Sequence, residues 1–350
     1  MPKSIVRCVV FFLVAAFVAI SSHALAGQER TLRVYTWTDY FDLEVVYEFE
    51  RRNGCRVTLD YFDSGDAMYA KLKAQGGGYD VVISPSYMSA IMKLQGMIRD
   101  IDHAALPNLK HIDRSLAALT EDPGMAYSVP YTRVVSGVGY NRKRVGPGDI
   151  GSWDIFGKTA YAKRMTLAND VRETLGAALK YLGHSLNTTD ADELSAAGDL
   201  LVAWKPNLAK FEIDEAKLGL VTGEFTAVHS YNGDIALVMQ ESADIDFFFP
   251  REGASLAVDG MVIAAGAENP ELAHAFLNHM LEPEMAAENM IGIRYYMPNP
   301  DAIRLLPDEL RDTPTFKVPE DVLEKCEVIR DLGADNAKYI DVWNRVKGAE

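Results

Sequence analysis

Arg33-Val34-Tyr35-Thr36-Trp37-Thr38-Asp39-Tyr40 opens as a β-branched, aromatic-rich run and stops at two large aromatics flanking a carboxylate. That composition reads as a buried strand, and the periodicity directly after it reads as a helix. In open α/β sheets ligands sit at the carboxyl ends of strands, so the position of Trp37, Asp39 and Tyr40 matters as much as their identity. Aromatic faces attract ammonium groups by roughly 0.5–2 kcal/mol each, and a carboxylate supplies the counter-charge. The stretch therefore suits an organic cation. Taken alone, it fits core aromatics with an Asp N-cap equally well.

The pattern repeats outward from this point. A helix near Asp42–Arg52, with Leu43, Val46 and Tyr47 on one face, is stopped by Gly54, and Cys55–Tyr61 reads as the second strand. A helix from about Asp66 to Gln75 runs into Gly76-Gly77-Gly78, followed by strand Tyr79–Ser84 and helix Met88–Gln95. The glycines precede a strand, whereas a phosphate-binding loop precedes a helix. Strands alternating with helices predict a parallel sheet covered on both faces. Residues 101–126 are irregular; Tyr127–Tyr140 is then a β-rich passage long enough to leave one sheet and enter another, with a first crossing near Thr132–Ser136.

Residues 150–250 alternate again. Strands are expected around Met165–Ala168, Phe211–Ile213, Thr226–Tyr231 and Ile245–Phe249, with helices opened by Asn169-Asp170 and at Asp190–Ala203, Glu215–Gly223 and Asp234–Glu241. Ser255–Ala265 resumes strand character; helices follow near Pro270–Leu281 and Pro283–Met290, and a last one at Ala334–Lys347 presents Tyr339, Val342, Trp343 and Val346 on one face. The expected fold class is α/β, two-lobed, with a ligand cleft between the lobes and several strand crossovers. One lobe takes 27–133 and 259–303, the other 134–258 and 304–350.

The N-terminus reads as an export signal: Lys3 and Arg7, an apolar run from Cys8 to Ile20, and the small-x-small site Ala24-Leu25-Ala26. The signal spans 1–26, and the mature chain is expected to begin at Gly27 and to be exported. Removing two basic residues takes the formal charge from −15 to about −17. A field of that sign repels nucleic acid and anionic membrane surfaces and speeds the capture of cations. Cys55 and Cys326 are too few for a disulfide framework and read as free thiols.

Other strand ends carry the same chemistry as the first. Ser86 and Tyr87 follow the third strand, Asp170 and Glu173 open a helix, Tyr231 precedes Asn232-Gly233, and Asp259 sits inside Ala257-Val258-Asp259-Gly260. An isolated carboxylate in an apolar strand costs several kcal/mol unless a cation or donors satisfy it, so Asp259 calls for a partner. Asp170 and Glu173, three apart, can share one side of a helix start, and an N-terminal capping pair is the plainer reading. Catalytic motifs are missing: no nucleophile elbow, no phosphate loop and no His-Glu-x-x-His. His103, His111, His184, His229, His274 and His279 are scattered and read as surface or satisfied core residues. Neither a metal nor a cofactor is expected, and no enzymatic activity.

Residues from about 30 to 350 resemble the periplasmic spermidine/putrescine-binding proteins of ABC polyamine importers. The likeness rests on Tyr35–Tyr40, Met68-Tyr69-Ala70-Lys71-Leu72, Tyr79-Asp80-Val81-Val82, Val129-Pro130-Tyr131, Asp170-Val171-Arg172-Glu173, the Asn-Gly after Tyr231, Pro250-Arg251-Glu252-Gly253 and Met297-Pro298-Asn299. It implies a cleft that closes on a polyamine and presents it, from a monomer, to an ABC permease in the inner membrane. It also implies that Trp37, Tyr40, Tyr87, Tyr231 and Tyr295 wall a slot for the methylene chain, with Thr38 and Ser86 beside it, while Asp39, Asp170, Glu173 and Asp259 take the ammonium groups.

The chain departs from the family where an aromatic gives way to Ala257, where tryptophan gives way to Tyr231, where a glutamine falls at Ile329 or Arg330, and where Ile293-Arg294 is inserted before Tyr295. These departures bear on which cation is bound. Two rival functions use the same scaffold: an exported enzyme acting on an amine with Asp170 and Glu173 as acid and base, and a ligand-loaded sensor that docks on a receptor.

Overall fold

The computed structural model describes residues 30–62, 64–75, 77–213, 215–313 and 316–349; the expected export signal lies outside them. Strand β1 (Arg30–Trp37) runs between β2 (Cys55–Phe62) and β3 (Val81–Pro85), parallel to both, with Val34 opposite Leu59 and Val81. Helix α1 (Leu43–Asn53) is opened by Asp42, whose carboxylate accepts from the Glu44 N–H at 2.8 Å, and is stopped by Gly54 at φ 55. It does not bury the expected face: Val45, Val46 and Phe49 are inside, while Leu43 and Tyr47 are exposed. Both stripes are apolar, and the one carrying Phe49 wins because that ring meets Phe276 edge-on at 5.0 Å.

The centre of the molecule corrects the expected parallel sheet. Strand β4 (Val129–Asn141) and strand β9 (Ser255–Ile263) pair antiparallel, and β9 is also antiparallel to β3. Val129 to Val135 of β4 pair with β9; from Ser136 the same strand pairs with β7 (Ala227–Tyr231), and from Val138 with β8 (Ile245–Phe248) as well. Parallel order returns beyond this crossing, where β5 (Met165–Leu167) lies between β6 (Leu208–Phe211) and β7. Strand β6 therefore starts three residues before the expected Phe211. A short β10 (Glu327–Val328) adds to β9 at Ser255 and Leu256.

The other helices of seven or more residues are α2 (Gly65–Gln75), α3 (Ser86–Leu94), α4 (Val171–Tyr181), α5 (Ala191–Trp204), α6 (Ala216–Thr222), α7 (Asn232–Val238), α8 (Pro270–Met280), α9 (Pro283–Ile293) and α10 (Asn336–Gly348). They cover the sheet on both sides of the crossing. One core gathers Phe49, Tyr131, Phe276 and Met297, the other Trp153, Phe156, Leu201 and Tyr339. Val134 packs in the first and Val135 in the second, as neighbouring residues of a strand that face opposite sides of the sheet. Cys326 is a free thiol, and Cys55 is buried. Among the described residues no helix is long and apolar enough to cross a membrane.

Candidate ligand-binding cleft

Strand β1 delivers Trp37 half-buried to its tip, and the backbone then turns through Asp39, held at φ 55. Asp is among the few non-glycine residues that tolerate this left-handed conformation. The turn folds Tyr40 back inward, its ring 5.1 Å from that of Tyr295 and 5.8 Å from that of Tyr131. The Tyr40 hydroxyl donates to Asp259 Oδ2 at 2.8 Å and receives the Thr132 hydroxyl at 2.8 Å. Asp259 lies mid-strand on β9, with Pro85 on one side and Thr132 on the other, and is 4% exposed. Burial pushes its carboxyl up to about 6, while the Tyr40 hydroxyl and the nearby Trp37 indole N–H pull the other way. The Trp37 contact falls short of a complete hydrogen bond.

The second lobe contributes a helix start. Asp170 caps α4, its Oδ1 accepting from the backbone N–H groups of Arg172 and Glu173 at 2.8 and 2.9 Å. That is the plainer role expected for it, and the residue still faces the cleft. Glu173, one turn in, is 6% exposed and accepts the Ser255 hydroxyl at 2.6 Å; Ser136 stands 2.9 Å behind Ser255. Burial, with the Asp170 charge beside it, raises its carboxyl to about 7. Behind it lies His229, 3.9 Å away, fully buried and edge-on to Trp153 at 4.8 Å. Desolvation lowers that imidazole to about 3, and among the described residues neither ring nitrogen has a hydrogen-bond partner. This corrects the expectation of a satisfied core histidine.

Tyr231 ends β7, and the Asn-Gly after it has a spatial reason. Asn232 Oδ1 accepts from the Val135 N–H at 3.0 Å, tying α7 to the crossing strand. Gly233 lets the Tyr295 ring lie against the backbone, since a Cβ there would stand 2.5 Å from ring carbons. Lys217 on α6 reaches Asp39 Oδ2 at 2.8 Å and Asp234 Oδ1 at 3.3 Å.

The resulting cleft holds about 140 Å³. Its walls include Trp37, Thr38, Tyr40, Ser86, Tyr87, Asp170, Glu173, Tyr231, Asp259 and Tyr295, all singled out in the sequence. Asp39 is not on the wall; it is bound to Lys217, which is. Phe62, Ile213, Asp234 and Val328 also stand on the walls without having been expected there, and of the two positions where the resemblance places the family's glutamine, Ile329 is on the wall and the exposed Arg330 is not. Among the described residues no three His, Cys, Asp or Glu side chains gather as metal ligands.

Two crossing strands with a carboxylate-lined cleft beside the crossing match a known architecture. Residues 44–318 fit the profile of the bacterial extracellular solute-binding proteins. The chain belongs to that family. It is 31% identical to spermidine/putrescine-binding periplasmic protein 1 of Haemophilus influenzae, over 94% of this chain and 92% of that one. Identity to the spermidine/putrescine-binding periplasmic protein of Escherichia coli K12 is 32%, over 93% and 94%. A solved spermidine/putrescine ABC transporter substrate-binding protein from Streptococcus pneumoniae overlays with a TM-score of 0.79 at 30% identity, covering 91% of this chain and 99% of that one. The two-lobed solute-binding fold expected from the resemblance is the fold observed.

Lys217 and Asp234 escaped sequence reading because each sits in an unremarkable helical turn. Only the fold brings them to the ends of β1 and β7.

Proposed function

We propose that this solute-binding protein captures polyamines in the periplasm and hands them to an ABC permease. One observation carries the reading. Asp259 and Glu173, each less than a tenth exposed, accept from hydroxyl groups and have no charged cation at ion-pair distance among the described residues, since His229 is held neutral. Buried carboxylates are stable as ions only with a cation, so the cleft is built for one that arrives from outside. Tyr40, Tyr87, Tyr231, Tyr295 and Trp37 wall the space between them with aromatic surface, which suits a methylene chain and ammonium ends together. The relatives named above, two of them periplasmic spermidine/putrescine-binding proteins, support the same ligand class and compartment.

Binding works by closure of the lobes about β4 and β9. The bound amine stabilises the closed form only as far as it prefers that form. The lobes are 27–133 with 259–303 and 134–258 with 304–350, except that Leu306, Leu310 and Phe316 pack into the first core and Val318 into the second, which supports a third crossing at 316–318.

Calorimetric titration of ligand-stripped protein with putrescine, spermidine, spermine, arginine and a neutral amino acid tests the reading. Heat is expected from the polyamines and none from the neutral amino acid; silence from every polyamine overturns it. Asp259→Asn is expected to weaken binding about tenfold or more, because an ammonium loses its buried partner. A value near 7 at Glu173 would also serve general acid catalysis. The titrated amine is therefore recovered and analysed, and unchanged amine is the expected result.

A further inference from the structure

Lys217 already does at one end of the cleft what a ligand would do. Its Nζ lies 2.8 Å from Asp39 Oδ2 and 3.3 Å from Asp234 Oδ1, on a side chain 17% exposed. Burial draws its pKa down, but the carboxylates of Asp234 and Asp39 outweigh that and hold it above the ordinary lysine value, so the ammonium stays charged. The other basic residue on the wall, Arg172, turns its guanidinium away. It donates to the carbonyls of Arg330 and Leu186 and to the side chains of Asn187 and Asn336, and lies 4.5 Å over the Tyr339 ring. Lys217 is thus the wall's own cation, paired with one carboxylate on the wall, Asp234, and one just off it, Asp39.

Resting on the reading that the cleft takes ammonium groups, we propose that Lys217 determines specificity: its ammonium fills the Asp39–Asp234 end and the cleft selects a diamine over a triamine. Asp259 and the Asp170–Glu173 pair remain for two ammonium groups of the ligand. A third would have to approach Lys217 at close range in a partly buried site, where like charges repel far more strongly than in water. Nor can Lys217 swing aside freely, since that would strand two carboxylates that now share its charge. The selection works against the wrong ligand by repulsion and needs no added contact to the right one.

The test compares putrescine with spermidine on ligand-stripped wild type and Lys217→Met by calorimetry. The readout is the ratio of the two affinities, because losing the Lys217–Asp39 contact also loosens closure, which weighs on both amines alike. Wild type is expected to prefer putrescine by about tenfold, and Lys217→Met to shift the ratio toward spermidine by about tenfold or more. A ratio unchanged in the variant, or a wild type that prefers spermidine, overturns the role of Lys217 and leaves polyamine binding standing. Silence from both amines in wild type overturns the polyamine reading itself. Should Lys217→Met fail to fold, Lys217→Gln, which keeps a donor toward Asp39 and Asp234 without the charge, gives the same ratio test.

Discussion

Asp259 sits where an ion is least comfortable, and that discomfort sets the pH behaviour of the cleft. Without ligand, burial holds Asp259 at about 6 and Glu173 at about 7, both above the usual carboxylate range. A carboxyl whose folded pKa is raised destabilises the fold as pH climbs from the unfolded value near 4 to the folded value, and the full penalty stands above about 7. Asp259→Asn should accordingly raise the melting temperature of ligand-free protein by a few degrees at pH 8 and hardly at all at pH 4.5. Binding reverses the preference, since an ammonium needs the ionised forms. Affinity should fall at least about tenfold between pH 8 and pH 5. Near pH 6 the measured heat should vary with the ionisation enthalpy of the buffer, because binding releases protons. Affinity that stays level across that range would remove both carboxyls from ammonium contact. His229, kept neutral down to about 3, takes no part in this window. Asp259 was legible in the sequence because a lone carboxylate in an apolar strand has a stated cost. His229 was not, because no local pattern tells whether a buried imidazole finds a partner.

At the level of elements, the strand tips were readable and the helix faces less so. Composition marks where β1, β3 and β7 end, and in this fold those ends are where the cleft lies. The apolar stripe of α1 was misread because Leu43, Val46 and Tyr47 and the stripe of Val45, Val46 and Phe49 are both apolar; only tertiary packing against Phe276 chooses between them. The start of α7 is the element most exposed to a single change. Gly233 has no conformational need for glycine, only a spatial one: the Tyr295 ring occupies the room a methyl group would take. Gly233→Ala is expected to leave the secondary structure seen by circular dichroism intact, displace Tyr295 and weaken amine binding by about tenfold. Equal affinity in the two proteins would show that Tyr295 is not a wall the ligand uses.

For the whole molecule, the sequence announced two α/β lobes and a first crossing, yet it led to a parallel sheet where the centre is antiparallel. The reason is connectivity. Alternating strands and helices describe each lobe, but β4 and β9 are single long strands that serve both, and strands passing in opposite directions between two bodies pair antiparallel. Such a crossing leaves side-chain contacts across the cleft to set how far the unliganded protein closes. Arg294 at the end of α9 donates to Gln240 Oε1 at 2.6 Å, a contact between the two proposed lobes. On the proposed closure only the closed fraction binds, and apparent affinity scales with that fraction whatever the ligand. Gln240→Ala should therefore weaken putrescine and spermidine by one common factor of about two to five. The radius of gyration of ligand-free protein in small-angle scattering should rise, and that of the saturated protein should stay as it was. Unequal losses for the two amines would place Gln240 in ligand recognition, and unequal losses are what the Lys217 variants are expected to show.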